Sequence, residues 1–355
     1  MDGTGEETAL KDAGRTGPRR RQRPTLKTVA GETGLAVTTV SRALNDAPDI
    51  GEETKARVRE AAARVGYVRD RAAHRLRTGR TNVISLLMTP ETDPLNHTAR
   101  LIHGLASELR GTPFHLVLTP VLRDEDPLVQ VRHVTETQAA DAIVINAVRP
   151  DDARIAYMAR AGMPFATHGR SSMTHPFYDF DNAAFARLAV GEMARRGRRR
   201  LLIVAPPQDQ SYGQHVMEGA RAACAAHGVG WERLETATTD APLEVLEPAI
   251  GAALARGPSG GGAGGFDAIL TASAISAMAS ACAAEALGLR VGGEFDIASK
   301  EAQPFLRRFR PGIITVREDM SAAGAFLARA AMAAIADPGA PPMTHLDVPG
   351  AEDLE

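Results

Sequence analysis

Thr25-Leu26-Lys27-Thr28-Val29-Ala30 begins the stretch that decides the fold, and Val37-Thr38-Thr39-Val40-Ser41-Arg42-Ala43-Leu44-Asn45 continues it. Thr25 is placed to N-cap a short helix from Leu26 to about Thr33, with Gly34 as its stop. A second helix is expected from Val37 to Asn45. Val29 and Ala30 on the first and Val40 and Leu44 on the second are spaced to bury one seam. Helices this short need a third partner. Glu52 to Val65 supplies it, with acids in its first turn, Arg64 in its last and Gly66 as stop.

Three helices with a tight Gly-containing turn form a helix-turn-helix, whose second helix enters the DNA major groove. Its outward residues are Thr38, Thr39, Ser41 and Arg42, with Val37 at the tip. They are short hydrogen-bonding groups and one guanidinium fork, which suit base edges and phosphates. The competing interpretation is a small bundle with a solvated polar face.

Val29-Ala30, Gly34, Thr39-Val40-Ser41-Arg42, Leu44-Asn45, Glu53-Thr54, Val58, Ala61-Ala62, Gly66-Tyr67 and Arg75-Leu76-Arg77-Thr78-Gly79 fall in one register. This pattern resembles the headpiece of the lactose-repressor (LacI/GalR) family. Two departures stand out. Ala36 replaces the usual Ser cap of the recognition helix, at a cost of about 1 kcal/mol. Val68-Arg69-Asp70 replaces Arg-Pro-Asn. The resemblance implies that Arg42, Thr38 and Val37 choose bases while Thr25, Lys27, Thr39 and Ser41 hold phosphates. Asn45, Tyr67, Arg71 and His74 complete the expected DNA-facing set. It also implies a hinge helix over residues 69–81, paired with a second copy through Ala72 and Ala73, with Leu76 wedging into the minor groove. A plain linker is the alternative there.

Charge supports a polyanion partner. Residues 1–80 hold 17 Lys and Arg against 11 Asp and Glu, a balance of +6, leaving −8 for the rest of a chain whose net charge is −2. Residues 1–23, with Arg15, Arg19, Arg20, Arg21 and Arg23, read as a disordered basic tail. With 355 residues, the chain fits a small module followed by a large one. Cys224 and Cys282 lie in Ala-rich helical stretches and suit packing rather than a disulfide or metal site. No apolar run reaches spanning length and no signal-peptide core is seen, so a cytoplasmic protein is expected.

From Thr81 the texture changes to short apolar runs alternating with helical stretches. The expected strands are Val83–Met88, His115–Thr119, Ala142–Ile145, Phe165–Thr167, Leu201–Ala205, Ala268–Thr271, Ile297–Ser299 and Ile313–Val316. Such alternation means parallel α/β sheets, here in two lobes with a ligand between them. It resembles the periplasmic-binding-protein-like effector domain of the same family. The expected fold is multidomain: an all-α helix-turn-helix headpiece (residues 24–68) with a hinge, then a two-lobed α/β domain (82–349). Its N-lobe is expected over 82–181 and 317–343, and its C-lobe over 182–316. The Gly-rich run 256–265 reads as a surface loop, since it lacks the Lys-Ser/Thr of a phosphate-binding loop. Thr344 to Glu355 is too short and polar to add a tetramerising coiled coil, so a homodimer is expected.

Ligand residues are sought in loops after strands. His168, Arg170, Tyr212 and His215 are candidates to bond sugar hydroxyls, and Phe180 to cover a sugar face. Thr89, His97, Ser273 and Lys300 complete the set, while Asp181 is read as a helix N-cap. Relative to the family, Leu95-Asn96-His97 replaces Asn-Pro-Phe, Val216 replaces an Arg, Ser273-Ala274 replaces Asn-Asp, and Lys300 is added. Fewer acids and an extra cation open the possibility of an anionic sugar.

No nucleophile–base pair, metal cluster or cofactor loop stands out, so neither enzyme nor cofactor is expected. A sugar-capture module for transport would need export. A transcription regulator, most often a repressor, that binds a pseudo-palindromic operator in double-stranded DNA under control of a sugar-like effector fits best.

Overall fold

Helix α1 (Leu26–Thr33) starts where the Thr25 backbone N–H donates to Thr28 Oγ1 at 3.1 Å, and it stops at Gly34, whose φ of 70° suits glycine. In this computed structural model, which describes residues 24–68, 75, 78–88, 97–122, 125–257 and 265–354, α2 (Val37–Leu44) and α3 (Glu52–Val65) follow. Val29, Val40, Ala43, Val58 and Ala61 are fully buried between the three helices. Ala43 takes the central place expected for Leu44, which is half-buried at the rim. The small methyl lets α2 approach its partners closely.

Lys55 is buried on the first turn of α3. Its ammonium lies 2.7 Å from Glu52 Oε1 and 3.1 Å from Asp46 Oδ1. Arg59 donates to the same Asp46 oxygen at 2.8 Å, so the helix junction is tied by charge as well as by packing. The expected hinge residues Arg71, His74 and Leu76, and the expected tail over residues 1–23, lie outside the described residues.

The chain divides into Met1–Gly79 and Arg80–Glu355. The larger unit opens with β1 (Val83–Met88), α4 (His97–Glu108), β2 (His115–Pro120), α5 (Pro127–Glu136), β3 (Ala142–Ile145), α6 (Ala153–Ala161), β4 (Phe165–His168) and β5 (Phe177–Phe180). After α7 (Asn182–Arg195) come β6 (Arg200–Val204), α8 (Ser211–His227), β7 (Gly230–Arg233), α9 (Leu243–Arg256), β8 (Ala268–Thr271), α10 (Ala274–Ala286) and β9 (Asp296–Glu301). It ends with α11 (Leu306–Phe309), β10 (Ile314–Arg317), α12 (Met320–Ala336) and β11 (Thr344–Asp347).

Two parallel sheets result, ordered β11-β5-β4-β3-β1-β2 and β10-β9-β8-β6-β7. Alternate residues of one strand feed opposite cores. Ile84, Leu86, Ala142 and Val144 face α4 and α12, while Leu87, Ile143 and Ile145 face α5 and α6. In the second sheet, Leu201 and Ile203 face α7 and α8, and Leu202 and Val204 face α9 and α10. Both sheets are thus covered on both faces, as the unbroken apolar runs require.

The expected strands form, and β5, β7 and β11 join them. The chain crosses between lobes after β5, after β10 and after β11. The last crossing follows Asp347, so the first lobe runs beyond residue 343, and Leu354 then bridges back to Val316 in the second. Residues 344–354 therefore hold a strand and a short helical turn.

Glycine permits two close helix contacts. A Cβ on Gly104 of α4 would meet Ser321 O at 2.1 Å, and one on Gly324 of α12 would meet Leu101 O at 2.2 Å. No helix among the described residues is long and apolar enough to cross a membrane.

Candidate functional site

Helix α2 presents a polar face without any side-chain cap at Ala36. Val37, Thr38 and Arg42 are exposed on it, whereas Thr39 and Ser41 are half-buried. Asn45 Nδ2 turns inward and donates to Ser41 O at 2.6 Å. Arg42 is held by an ion pair with Asp49, in the loop before α3, so its guanidinium is oriented by an acid in the DNA-free protein. Thr25 and Lys27 are exposed at the start of α1, and Tyr67 packs on the tri-helical core.

In the larger unit a cleft of about 600 Å³ opens between the lobes, at the C-terminal ends of the strands. First-lobe walls come from Asn146, His168 and Asp179, and second-lobe walls from Tyr212, Asp240, Ser273 and Lys300. Asn182 and Glu318 line it from two of the crossings. This placement follows from the parallel sheets, whose strand ends and following loops all face one way.

Lys300, on the last turn of β9, is almost fully buried. Its Nζ lies 2.9 Å from Glu318 Oε2 and donates to Asn182 Oδ1 at 2.9 Å. It also stands 5.3 Å over the Phe180 ring and 5.5 Å over that of Tyr212. The Tyr212 hydroxyl donates to Asp240 Oδ1 at 3.0 Å, and burial with that carboxylate beside it pushes the phenol pKa up. Ser273 caps α10 by accepting from Ser276 N at 3.2 Å and reaches Thr239 O at the same distance. His168 lies flat beside Tyr178, 14° from parallel, with Nε2 at 3.9 Å from Glu318 Oε1.

Asp179 reaches the cleft from the middle of β5 and is 3% exposed. Burial pushes its carboxyl up to about 7, against the pull of Arg170 and Lys300. Arg170 Nε donates to it at 2.8 Å.

The cleft brings together His168, Tyr212, Ser273 and Lys300 from the sequence-expected set. Arg170 and His215 line a neighbouring hollow instead. Phe180 is a correction: its ring is 1% exposed and belongs to the core of the second lobe, packed against Phe185 at 6.5 Å. Inward alternation on β5 sends Tyr178 and Phe180 to cores while Asp179 faces the cleft. Asp181 caps α7 as expected, accepting from Ala183 and Ala184 at 3.1 and 2.9 Å. Thr89 lies outside the described residues, as does the side chain of His97.

The residues that sequence reasoning passed over are Asp179, Asp240 and Glu318. Glu318 had a legible signal, since it immediately follows a strand at a lobe crossing. The expected shortage of acids is also corrected. Asp179, Asp240, Glu244, Glu301 and Glu318 line the cleft against the single ammonium of Lys300, which Glu318 already neutralises. Uncharged hydroxyls, which both donate and accept, suit such a wall. Among the described residues no group of three or more His, Cys, Asp or Glu side chains is placed to hold a metal ion.

Residues 25–70 match the family model described as bacterial regulatory proteins, lacI family, and residues 190–352 match that of a periplasmic binding protein-like domain. The HTH-type transcriptional regulator AglR of Rhizobium meliloti (strain 1021) is 31% identical over 332 residues, covering 90% of each chain. The HTH-type transcriptional regulator CelR of Thermobifida fusca is 26% identical, covering 87% of this chain and 91% of its own. A Lac repressor dimer bound to operator and the anti-inducer ONPF superposes with a TM-score of 0.78 at 19% identity, covering 92% of this chain and 97% of that one. A complex of the regulator CelR with cellobiose gives 0.67 at 24% identity, covering 94% and 98%.

Proposed function

Because the chain belongs to the lacI family of bacterial regulatory proteins, we propose that a neutral sugar in the interlobe cleft sets its grip on a pseudo-palindromic operator. It is a DNA-binding transcriptional regulator, not an enzyme. The observation that carries the effector reading is the cleft wall itself. Tyr212, Asp240, Ser273, Asn182, His168 and Asp179 offer donors and acceptors from both lobes, and the one buried ammonium is already neutralised. The CelR neighbour holds cellobiose, and a shorter match is named ribose operon repressor, which supports a sugar rather than another polyol.

On the DNA side, Arg42, Thr38 and Val37 read bases, and Thr25, Lys27, Thr39 and Ser41 fix the register on phosphates. Asn45 and Tyr67 brace the headpiece, and Arg71, His74 and Leu76 act in the minor groove from a hinge. The protein works in the cytoplasm as a homodimer, presenting two recognition helices about one helical turn apart. A ligand that bridges both lobes favours one lobe arrangement over another. A tenfold change in operator affinity asks for about 1.4 kcal/mol of such preference.

The test is operator selection from random duplex DNA, followed by mobility shift of the selected site with and without sugars. A selected two-fold-symmetric site whose affinity moves with one sugar is the expected result. Indifference to all duplex DNA at low salt overturns the regulator reading, and indifference to all sugars overturns the effector reading.

A further inference from the structure

Beside the cleft lies a second hollow of about 510 Å³. Ser211, the first residue of α8, lines both. An ion pair stands between them, with Asp179 lining the cleft and its partner Arg170 lining the hollow. The two spaces are therefore neighbours separated by one salt bridge and joined across one serine.

Two side chains that line the hollow carry a buried polar atom without a hydrogen-bond partner among the described residues. Ser211 is 4% exposed, and its Oγ has no hydrogen-bond partner among the described residues. His215 Nδ1 is buried without a hydrogen-bond partner among the described residues and stands 4.0 Å from Asp179 Oδ2. Arg170, which lines the hollow, donates to Asp179 through Nε. Burial and the Arg170 charge keep the His215 imidazole neutral. Left unbonded, such groups carry a desolvation cost that a ligand would relieve.

The chemistry of that ligand follows from the set. A serine hydroxyl and a neutral imidazole nitrogen are both answered by a hydroxyl, and a guanidinium fork spans two adjacent oxygens, as a vicinal diol offers. Asp181 and Glu218 line the hollow alongside Arg170 and Arg187, so it has no net pull on an anion.

We propose that this hollow is a second saccharide subsite, so that the effector is at least a disaccharide, with one ring in the cleft and the next across Ser211. The inference rests on the sugar-effector reading and adds the length of the sugar to it.

Isothermal titration of the full-length protein tests it, with glucose and galactose set against maltose, cellobiose, melibiose and lactose. At least one disaccharide is expected to bind about tenfold or more tightly than its own component sugar, the worth of one or two good hydrogen bonds. Arg187→Ala, at a residue that lines the hollow and not the cleft, should remove most of that advantage. Monosaccharide affinity should stay within about twofold, since no cleft contact is lost. Gln214→Ala, at an exposed position of the same hollow, serves as a further variant should Arg187→Ala fail to fold. Operator binding without sugar reports folding of each variant. Equal affinity for mono- and disaccharides overturns the subsite while leaving the sugar reading intact, as does a disaccharide advantage that the hollow variants leave untouched. Variants that weaken both classes equally also overturn it. Binding of no sugar at all removes the effector reading and this inference together.

Discussion

Lys300 Nζ and Glu318 Oε2 stand 2.9 Å apart on the cleft wall, with side chains only 9% and 2% exposed. One sits at the end of β9 and the other at the second crossing, so the pair fixes the second lobe's rim to the segment on which the lobes turn. Removing one partner strands the other charge. Lys300→Met is expected to lower stability by about 3 kcal/mol, whereas Lys300→Met with Glu318→Gln should recover most of it. Urea unfolding of the three proteins decides this. A single variant that costs less than about 1 kcal/mol would show that the carboxylate is already well solvated.

The Arg42–Asp49 pair sets up a competition on the DNA face. Arg42→Ala should cost about 1–3 kcal/mol of operator binding and relax one base position. Asp49→Asn should act in the opposite direction, strengthening binding by up to about fivefold, the upper worth of an exposed ion pair. Mobility-shift titrations at one fixed salt concentration measure both. If Arg42→Ala leaves the selected sequence unchanged, its guanidinium touches phosphate alone.

Asp179 gives a pH signature. Its carboxyl stands at about 7 in the folded chain because of burial, against about 4 when unfolded. Between those values the folded state holds a proton that the unfolded state has lost. Its contribution to stability is therefore full at low pH and declines as pH rises from about 4 to about 7. Asp179→Asn abolishes this slope, so the variant should gain on the wild type as pH rises through that window. Thermal melts of both proteins at pH 5, 6, 7 and 8 show whether the difference grows. A constant difference would mean that the carboxylate is ionised throughout.

The approach of α4 to α12 depends on having no side chain at Gly104 and Gly324. Gly104→Ala pushes a methyl into Ser321 O, and the obstacle is backbone rather than a movable side chain. A loss of about 1–3 kcal/mol is expected in equilibrium unfolding. Gly31→Ala in the headpiece, inside α1 where a Cβ meets nothing within 4 Å, is the control and should gain up to about 1 kcal/mol.

The strands that the sequence revealed include those buried on both faces, such as Ala142–Ile145, where every residue is apolar, and the exposed edge strand β2, whose Leu-Val-Leu run is apolar. The three that escaped notice lack that run. β7 (Gly-Trp-Glu-Arg) and β11 (Thr-His-Leu-Asp) are sheet edges with one side open, and β5 carries Asp179 in its middle. The headpiece was legible almost residue by residue, because its caps, stops and seam are local. The cleft was less so. Lys300 reads as an added cation until its buried neighbour Glu318 is known, and Phe180 reads as a sugar platform until its strand's alternation turns it inward. Both mistakes concern which way a side chain faces, and long-range packing decides that.

All five strands of the second sheet lie within one uninterrupted run, Arg200 to Arg317, whereas the first sheet receives its last strand from Thr344–Asp347. During synthesis the later lobe can thus close while the earlier one still waits for its final piece. A stop codon falling between them would release a chain with one finished lobe and with β5 left as a bare edge, an open template for other strands. Nonsense lesions in that interval should therefore yield aggregates rather than merely inactive regulator.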